Sequence, residues 1–367
     1  MAIRVAKPAS RRCPVRRWSA AAGRSGRPNQ PGRRTYPPGR LDRAAPRPPY
    51  RRGVDGRRLV TGVVVGLLSV VLGAWGPTAA VAPEGTAGAS AVTAAPAGSP
   101  DGRPVTVSTA DHPVGVRTLD VPVHRHRLAV TVWYPARHDG PGAPVAPGRF
   151  PVVLYSHGLH SLPVHHTALT SRWAAAGFVV VAPTYPRTSQ TAAGFTRADV
   201  RHQPGYAWQV LRHLRRLDPA DPLAGHLDPR RVAAAGHSAG GFTTSGMFTV
   251  GHPAWLRAGI VIAGGGLPGS YAGPAAHLLF VHGDADPVVP VAVGRAAFAR
   301  ARWPRAFLTV TGQGHGEYLA PGRPGFDQVV AVTTDFLRWR LRDDRAARDR
   351  IPGTAYRPGV SGFVRHW

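Results

Sequence analysis

Three kinds of side chain that together can transfer an acyl group occur in this chain in a meaningful order. A serine stands in Gly236-His237-Ser238-Ala239-Gly240, behind the apolar run Val232-Ala-Ala-Ala235 and ahead of an apolar, helix-compatible segment. Two carboxylates follow in His282-Gly283-Asp284-Ala285-Asp286, and a histidine closes Gly312-Gln313-Gly314-His315. A serine hydroxyl is a weak nucleophile at neutral pH and needs a base to take its proton as it attacks. An imidazole titrates near neutrality, so His315 can be that base. A carboxylate from the Asp284/Asp286 pair would fix the imidazole tautomer and stabilise the imidazolium that forms. The attack also creates an oxyanion, which needs preorganised N–H donors. The backbone N–H groups of Ala239 and of Leu159, at the end of Ser156-His157-Gly158-Leu159, are the expected pair.

The Gly-x-Ser-x-Gly spelling is weak by itself. With 44 glycines in 367 residues, chance alone yields about 0.2 such matches. Order and context carry the reading. Ser238, Asp286 and His315 follow one another as hydrolase triad members do, with the His-Gly turn upstream.

Such residues must be held by rigid elements, and the chain after residue 115 alternates apolar runs with amphipathic ones. Strands are expected at Leu128–Tyr134, Val152–Ser156, Phe178–Ala182, Val232–Ala235, Ile260–Ala263, Leu278–His282 and Phe307–Val310. Several are unbroken Val/Ile/Leu runs, the pattern of strands buried on both faces of a parallel sheet. Helices are expected at Thr167–Ala176, Ala207–Leu217, Gly240–Phe248, Val291–Ala301 and Phe326–Leu341. In the second of these, Val210, Leu211, Leu214 and Leu217 share one face. The alternation predicts an α/β fold with a mostly parallel, doubly wound sheet flanked by helices, and ligands at the carboxyl ends of its strands. All four site elements sit at such ends. Neither a Gly-x-Gly-x-x-Gly fingerprint nor a Walker motif is expected, so no nucleotide cofactor is expected, and no metal site is expected either.

Composition divides the chain. It carries 46 Lys+Arg against 19 Asp+Glu, a net +27. Residues 1–58 alone hold 17 basic and 2 acidic side chains among many Pro and Gly. That segment has too little apolar material for a core and reads as a disordered basic region, or as untranslated if synthesis starts near Val54. Leu59–Trp75 is an uncharged apolar run after Arg57-Arg58, and Ala80-Val81-Ala82 has the small-residue pattern of a cleavage site. Residues 59–82 are thus expected to be a signal peptide that sends the protein outside the cell, with a membrane anchor through 59–75 as the alternative. Residues 83–104 read as a linker, 105–345 as the hydrolase domain, and 346–367 as a tail. The basic residues are 45 Arg and one Lys. Codon bias explains that excess without a nucleic-acid partner, and an ester, small or polymeric, is the expected ligand. The single cysteine, Cys13, precedes the cleavage region, so no disulfide and no cysteine nucleophile are expected in the domain.

The segment Leu128-Ala-Val-Thr-Val-Trp-Tyr-Pro-Ala136, the turn Ser156-His-Gly-Leu159, the run Gly177-Phe-Val-Val-Val-Ala-Pro183 and Gly236-His-Ser-Ala-Gly-Gly241 carry a family resemblance. Together they resemble the secreted α/β-hydrolases related to platelet-activating factor acetylhydrolase, with cutinase-like and dienelactone-hydrolase-like proteins as neighbouring groups. The resemblance spans about residues 115 to 343 and implies a serine esterase or lipase. An amidase or peptidase on the same triad, and a catalytically silent hydrolase-fold binding protein, are the alternative readings. The resemblance also implies that the later carboxylate of His-Gly-x-x-Asp completes the triad, which is Asp286. Pro287 supports this by restricting Asp286 to extended backbone. The chain departs from the pattern at His160, where a glycine often stands, and at Ala239, where a bulkier residue is common. Dienelactone hydrolases proper use a cysteine where Ser238 stands.

Other residues receive plainer readings. His157 is expected to shape the oxyanion turn. His160, His165 and His166 lack accompanying Cys or carboxylates and read as surface or helix-start histidines. Trp133, Trp173 and Trp208 are expected in the core, while Thr184 and Tyr185 could either line an acyl pocket or simply shape a loop. The absence of a long insertion between Gly264 and Ala275 predicts an open site suited to short acyl chains or a polymer surface.

Overall fold

Unbroken apolar runs make the centre of a ten-stranded sheet. The computed structural model describes residues 111–123 and 126–367; the basic region, the export segment and the linker read from the sequence lie outside them. The strands are β1 (Val114–Val123), β2 (His126–Pro135), β3 (Gly140–Pro141), β4 (Phe150–Ser156), β5 (Val179–Pro183), β6 (Leu227–His237), β7 (Leu256–Ile262), β8 (His277–Gly283), β9 (Arg305–Val310) and β10 (Ser361–His366). Across the sheet they run β10-β9-β8-β7-β6-β4-β5-β2-β1-β3. From β5 to β9 all pairings are parallel. β2 joins β5 antiparallel, and β10 closes the other edge antiparallel to β9. Every residue of β4 and β5 is buried, as strands covered on both faces must be.

The helices are α1 (Thr167–Ala175), α2 (Gln203–Leu214), α3 (Ala239–Met247), α4 (Val291–Arg300), α5 (Phe326–Arg342) and α6 (Arg345–Ala355). Alternation along each strand divides the core in two. Val152 and Leu154 of β4 pack with Val210, Leu211 and Leu214 of α2 and Ala297 of α4 on one face. Val153 and Tyr155 point the other way, toward Leu169 and Trp173 of α1 and Val329, Val332 and Phe336 of α5. This is the α/β-hydrolase fold, a mostly parallel sheet flanked by helices, and each strand and helix expected from the pattern is present. Trp133 and Trp173 are in the core, and Trp208 packs partly buried against it.

The edges differ from the expectation. β1 was not among the predicted strands because Arg117, Asp120 and Pro122 interrupt its apolar residues. Residues 346–367, read as a tail, instead supply most of α6 and all of β10. Asp344 caps α6 by accepting from the N–H of Ala347 at 2.9 Å, and Ile351 and Ala355 enter the core. The helix is charged and contains Pro352, which hides its pattern from periodicity. Gly264–Gly269 does spell Gly-x-Gly-x-x-Gly, which corrects the expectation that the pattern is absent. It opens the irregular segment before β8 and no helix, so it lacks the helix N-terminus that a phosphate would need.

Candidate active site

Strand β6 ends at His237, helix α3 begins at Ala239, and Ser238 makes the turn between them. Its backbone lies at φ 58°, ψ −122°, a region L-residues rarely occupy and in which strain is stored. The sequence permits the turn because both flanking positions lack a side chain. A Cβ on Gly240 would collide with the carbonyl oxygen of Ser156, and one on Gly236 with that of Gly240. The serine therefore stands at the carboxyl edge of the sheet, at the N-terminus of α3, where its carbonyl accepts from the N–H groups of Gly241 at 2.8 Å and Phe242 at 3.2 Å and the helix dipole is positive.

The two downstream elements converge on it. His315 lies in the loop after β9, with its Nε2 2.8 Å from Ser238 Oγ. Its Nδ1 is 2.8 Å from Asp286 Oδ2 in the loop after β8. The other oxygen of Asp286 accepts from the backbone N–H groups of Val288 at 2.8 Å and Val289 at 2.9 Å. Burial by itself pushes this carboxyl up. Hydrogen bonds from His282 and His315, the charge of His315 and the backbone donor at Val289 outweigh it and hold Asp286 well below the usual carboxylate range. Asp284 is exposed and turned away, accepting from the N–H of Gly312 at 2.7 Å. The structure thus brings Ser238, His315 and Asp286 into one hydrogen-bonded chain and leaves Asp284 out of it.

The turn Ser156-His157-Gly158-Leu159, expected to carry an oxyanion donor, is built on buried His157. The carbonyl of Gly158 can only accept, so His157 Nδ1–H donates to it at 2.7 Å, and Nε2 accepts from the N–H of Tyr185 at 3.1 Å. Burial lowers this imidazole to about 4, keeping it neutral. The turn lies against Ser238, since a Cβ on Gly158 would sit 3.2 Å from Ser238 Cβ. Leu159 follows at once. His160 adopts φ 49°, the left-handed conformation that a glycine would take there, and its ring stacks on Phe195 at 3.7 Å.

Several supporting residues went unread in the sequence. His282, buried at the end of β8, donates from Nε2 to the carbonyl of Val289 at 2.8 Å and lies 3.3 Å from Asp286 Oδ2. His237, whose place in the elbow was noticed but given no role, reaches the carbonyl of His315. Tyr185 is wholly buried and its hydroxyl pairs with Ser156 Oγ at 2.8 Å, so it supports the end of β4 and lines no pocket. His166 stands at the N-cap position of α1, as the helix-start reading has it, but is buried and not at the surface, with Nδ1 2.9 Å from the hydroxyl of Tyr155, whereas His160 and His165 are exposed. No residue pattern marks such partners: His237 and Tyr185 meet groups 78 and 29 residues away, and the shorter-range contacts of His282 and His166 depend on how their loops fold back.

Comparison with protein families adds one finding. Residues 141–252 match the family model described as Chlorophyllase. The matched stretch is under a third of the chain; it holds the oxyanion turn and Ser238 but neither Asp286 nor His315. It agrees with a hydrolase of esters built on the α/β-hydrolase fold. No curated protein matches the chain.

Proposed function

We propose that this protein is a serine hydrolase that cleaves carboxylic esters through an acyl-serine intermediate. The reading rests on one observation above the others, the hydrogen-bonded chain from Asp286 through His315 to a strained Ser238 at a helix N-terminus. Ser238 Oγ attacks the ester carbonyl while His315 Nε2 takes its proton. The oxyanion that forms is met by the N–H groups of Leu159 and Ala239. Asp286 holds the proton on Nδ1, leaves Nε2 free as acceptor, and stabilises the imidazolium. His315 then returns its proton to the departing alkoxide, and a water activated by the same nitrogen releases the acid from Ser238.

The short connection between Gly264 and Ala275 supports an open site, and the resemblance to cutinase-like enzymes supports polymeric esters. Short acyl esters, or ester groups on a polymer surface, are the proposed substrates. The domain acts outside the cell in this proposal, exported by residues 59–82, with membrane association through 59–75 as the alternative. N-terminal sequencing of protein from the culture medium, with a start near Pro83 expected, tests export; finding only membrane-bound protein that keeps Leu59–Trp75 would replace it with an anchor.

A fluorophosphonate probe tests the chemistry. It should label the folded protein at Ser238, located by mass spectrometry, and Ser238→Ala should abolish both labelling and hydrolysis of short-chain nitrophenyl esters. Turnover should fall as the acyl chain lengthens. A folded protein that resists the probe would overturn the proposal in favour of a silent binding protein, and nitroanilide cleavage exceeding ester cleavage would favour an amidase.

A further inference from the structure

The geometry points to His237 as a positioning residue that sets the height of the catalytic base above Ser238, an inference that rests on the serine-hydrolase reading. His237 precedes the serine in the elbow, yet its side chain serves the opposite loop. Its Nε2 lies 2.6 Å from the backbone carbonyl of His315. A carbonyl only accepts, so the proton sits on Nε2 and this tautomer of His237 is set by the base it supports. The two rings lie 4.8 Å apart, centroid to centroid. The next residue in the loop, Gly316, leaves room for the contact, because a Cβ there would stand 3.0 Å from His237 Nε2. On its other side the ring borders the oxyanion turn, with Nδ1 3.6 Å from where a Gly158 Cβ would be.

One side chain therefore touches all three parts of the site. It adjoins the nucleophile in sequence, carries the backbone of the base, and packs on the turn that bears a proposed oxyanion donor. Other bonds hold the loop on either side of His315, from the N–H of Gly312 to Asp284 at 2.7 Å, from the N–H of Ala285 to the Gln313 carbonyl at 3.1 Å and from the N–H of Leu319 to the Gly316 carbonyl at 2.9 Å, while His237 is the side chain that meets the carbonyl of His315 itself. His315 also makes its bonds to Ser238 and Asp286 through the same ring, so a shift of its backbone moves both at once. His237 stays neutral in the working range, since burial and the neighbouring His315 lower it to about 4, and it adds no charge against the imidazolium.

The experiment compares His237→Leu with His237→Gln, whose amide can still donate to the His315 carbonyl. In nitrophenyl ester hydrolysis, His237→Leu should lower kcat about 10- to 100-fold, the scale of a misplacement near 1 Å, with KM changed less than about twofold. Fluorophosphonate labelling of Ser238 should slow by a similar factor. His237→Gln should recover most of both losses. Gly316→Ala, which pushes the same contact from the other side, should reproduce the His237→Leu pattern with His237 intact. If folded His237→Leu keeps wild-type kcat, or if His237→Gln is as slow as His237→Leu, the inference falls. Wild-type protein that neither labels nor hydrolyses esters would refute the underlying serine-hydrolase reading instead, so the two failures are distinct.

Discussion

Changing Asp286 to asparagine removes a charge but keeps the shape, and the structure dictates how the new amide must sit. Asp286 Oδ1 accepts two backbone N–H groups, from Val288 and Val289, and only the amide oxygen can replace it there. The NH2 group is then forced toward the former Oδ2 position, 2.8 Å from His315 Nδ1. It donates, so Nδ1 must accept and the imidazole proton moves to Nε2. That nitrogen faces Ser238 Oγ at 2.8 Å and is no longer able to take its proton. The NH2 group also meets the N–H of His282, 3.3 Å from Oδ2, with which it cannot pair. The equivalent change in a Ser-His-Asp protease costs about 10⁴ in kcat, or roughly 5.5 kcal/mol of transition-state stabilisation, and the same is expected here. Asp284→Asn is the control. Its exposed side chain accepts one N–H, from Gly312, which an amide oxygen also does, so a loss of about tenfold or less should follow. Nitrophenyl ester hydrolysis at saturating substrate, with circular dichroism to confirm folding, measures both. Equal losses, or a larger loss for Asp284→Asn, would refute the assignment of the carboxylate.

Acid should destabilise the fold through buried His157 and half-buried His277. His157 and His277 are lowered by burial to about 4, and unfolded histidine titrates near 6.5, so between those values the unfolded chain binds more protons and stability falls as pH falls. Wholly buried His157 should contribute roughly 3 kcal/mol of this loss, and Tm measured from pH 7 to pH 4 should decline less in a folded His157→Gln variant. A parallel decline in both proteins would exclude His157. Asp286, held below its usual range, adds a second loss as pH falls below about 4, which Asp286→Asn should abolish in acid unfolding curves. Gly205, early in α2 with open space around its Cα, should accept alanine with a gain of about 0.5–1 kcal/mol in urea unfolding. Gly240→Ala should prevent folding or strongly destabilise the protein, because its Cβ meets the Ser156 backbone; a soluble, active Gly240→Ala protein would contradict the elbow geometry.

The fold class, and the three residues that meet at the site, Ser238, His315 and Asp286, were legible in the sequence for a simple reason. Strands buried on both faces must be apolar throughout, so β4, β5 and β8 announce themselves as Val-, Leu- and Ala-rich runs. A serine turn pressed against Ser156 needs glycines at 236 and 240, and these stand in the text as letters. Edge elements were harder to see. β1 and α6 bury only part of their surface, so charged residues and Pro352 are tolerated and the period is lost. The choice of Asp286 over Asp284, two residues apart, was suggested by the sequence through Pro287 and resemblance, but it took the loop's path after β8 to bury one and expose the other. The partners of the triad required tertiary structure altogether. His282 faces Val289, His237 faces the carbonyl of His315, and His157 faces Gly158 and Tyr185. Each is one histidine among 17, and only the folded path of the chain, across distant segments for His237 and for His157 with Tyr185 and within a loop for His282, gives it a partner, a tautomer and a charge state.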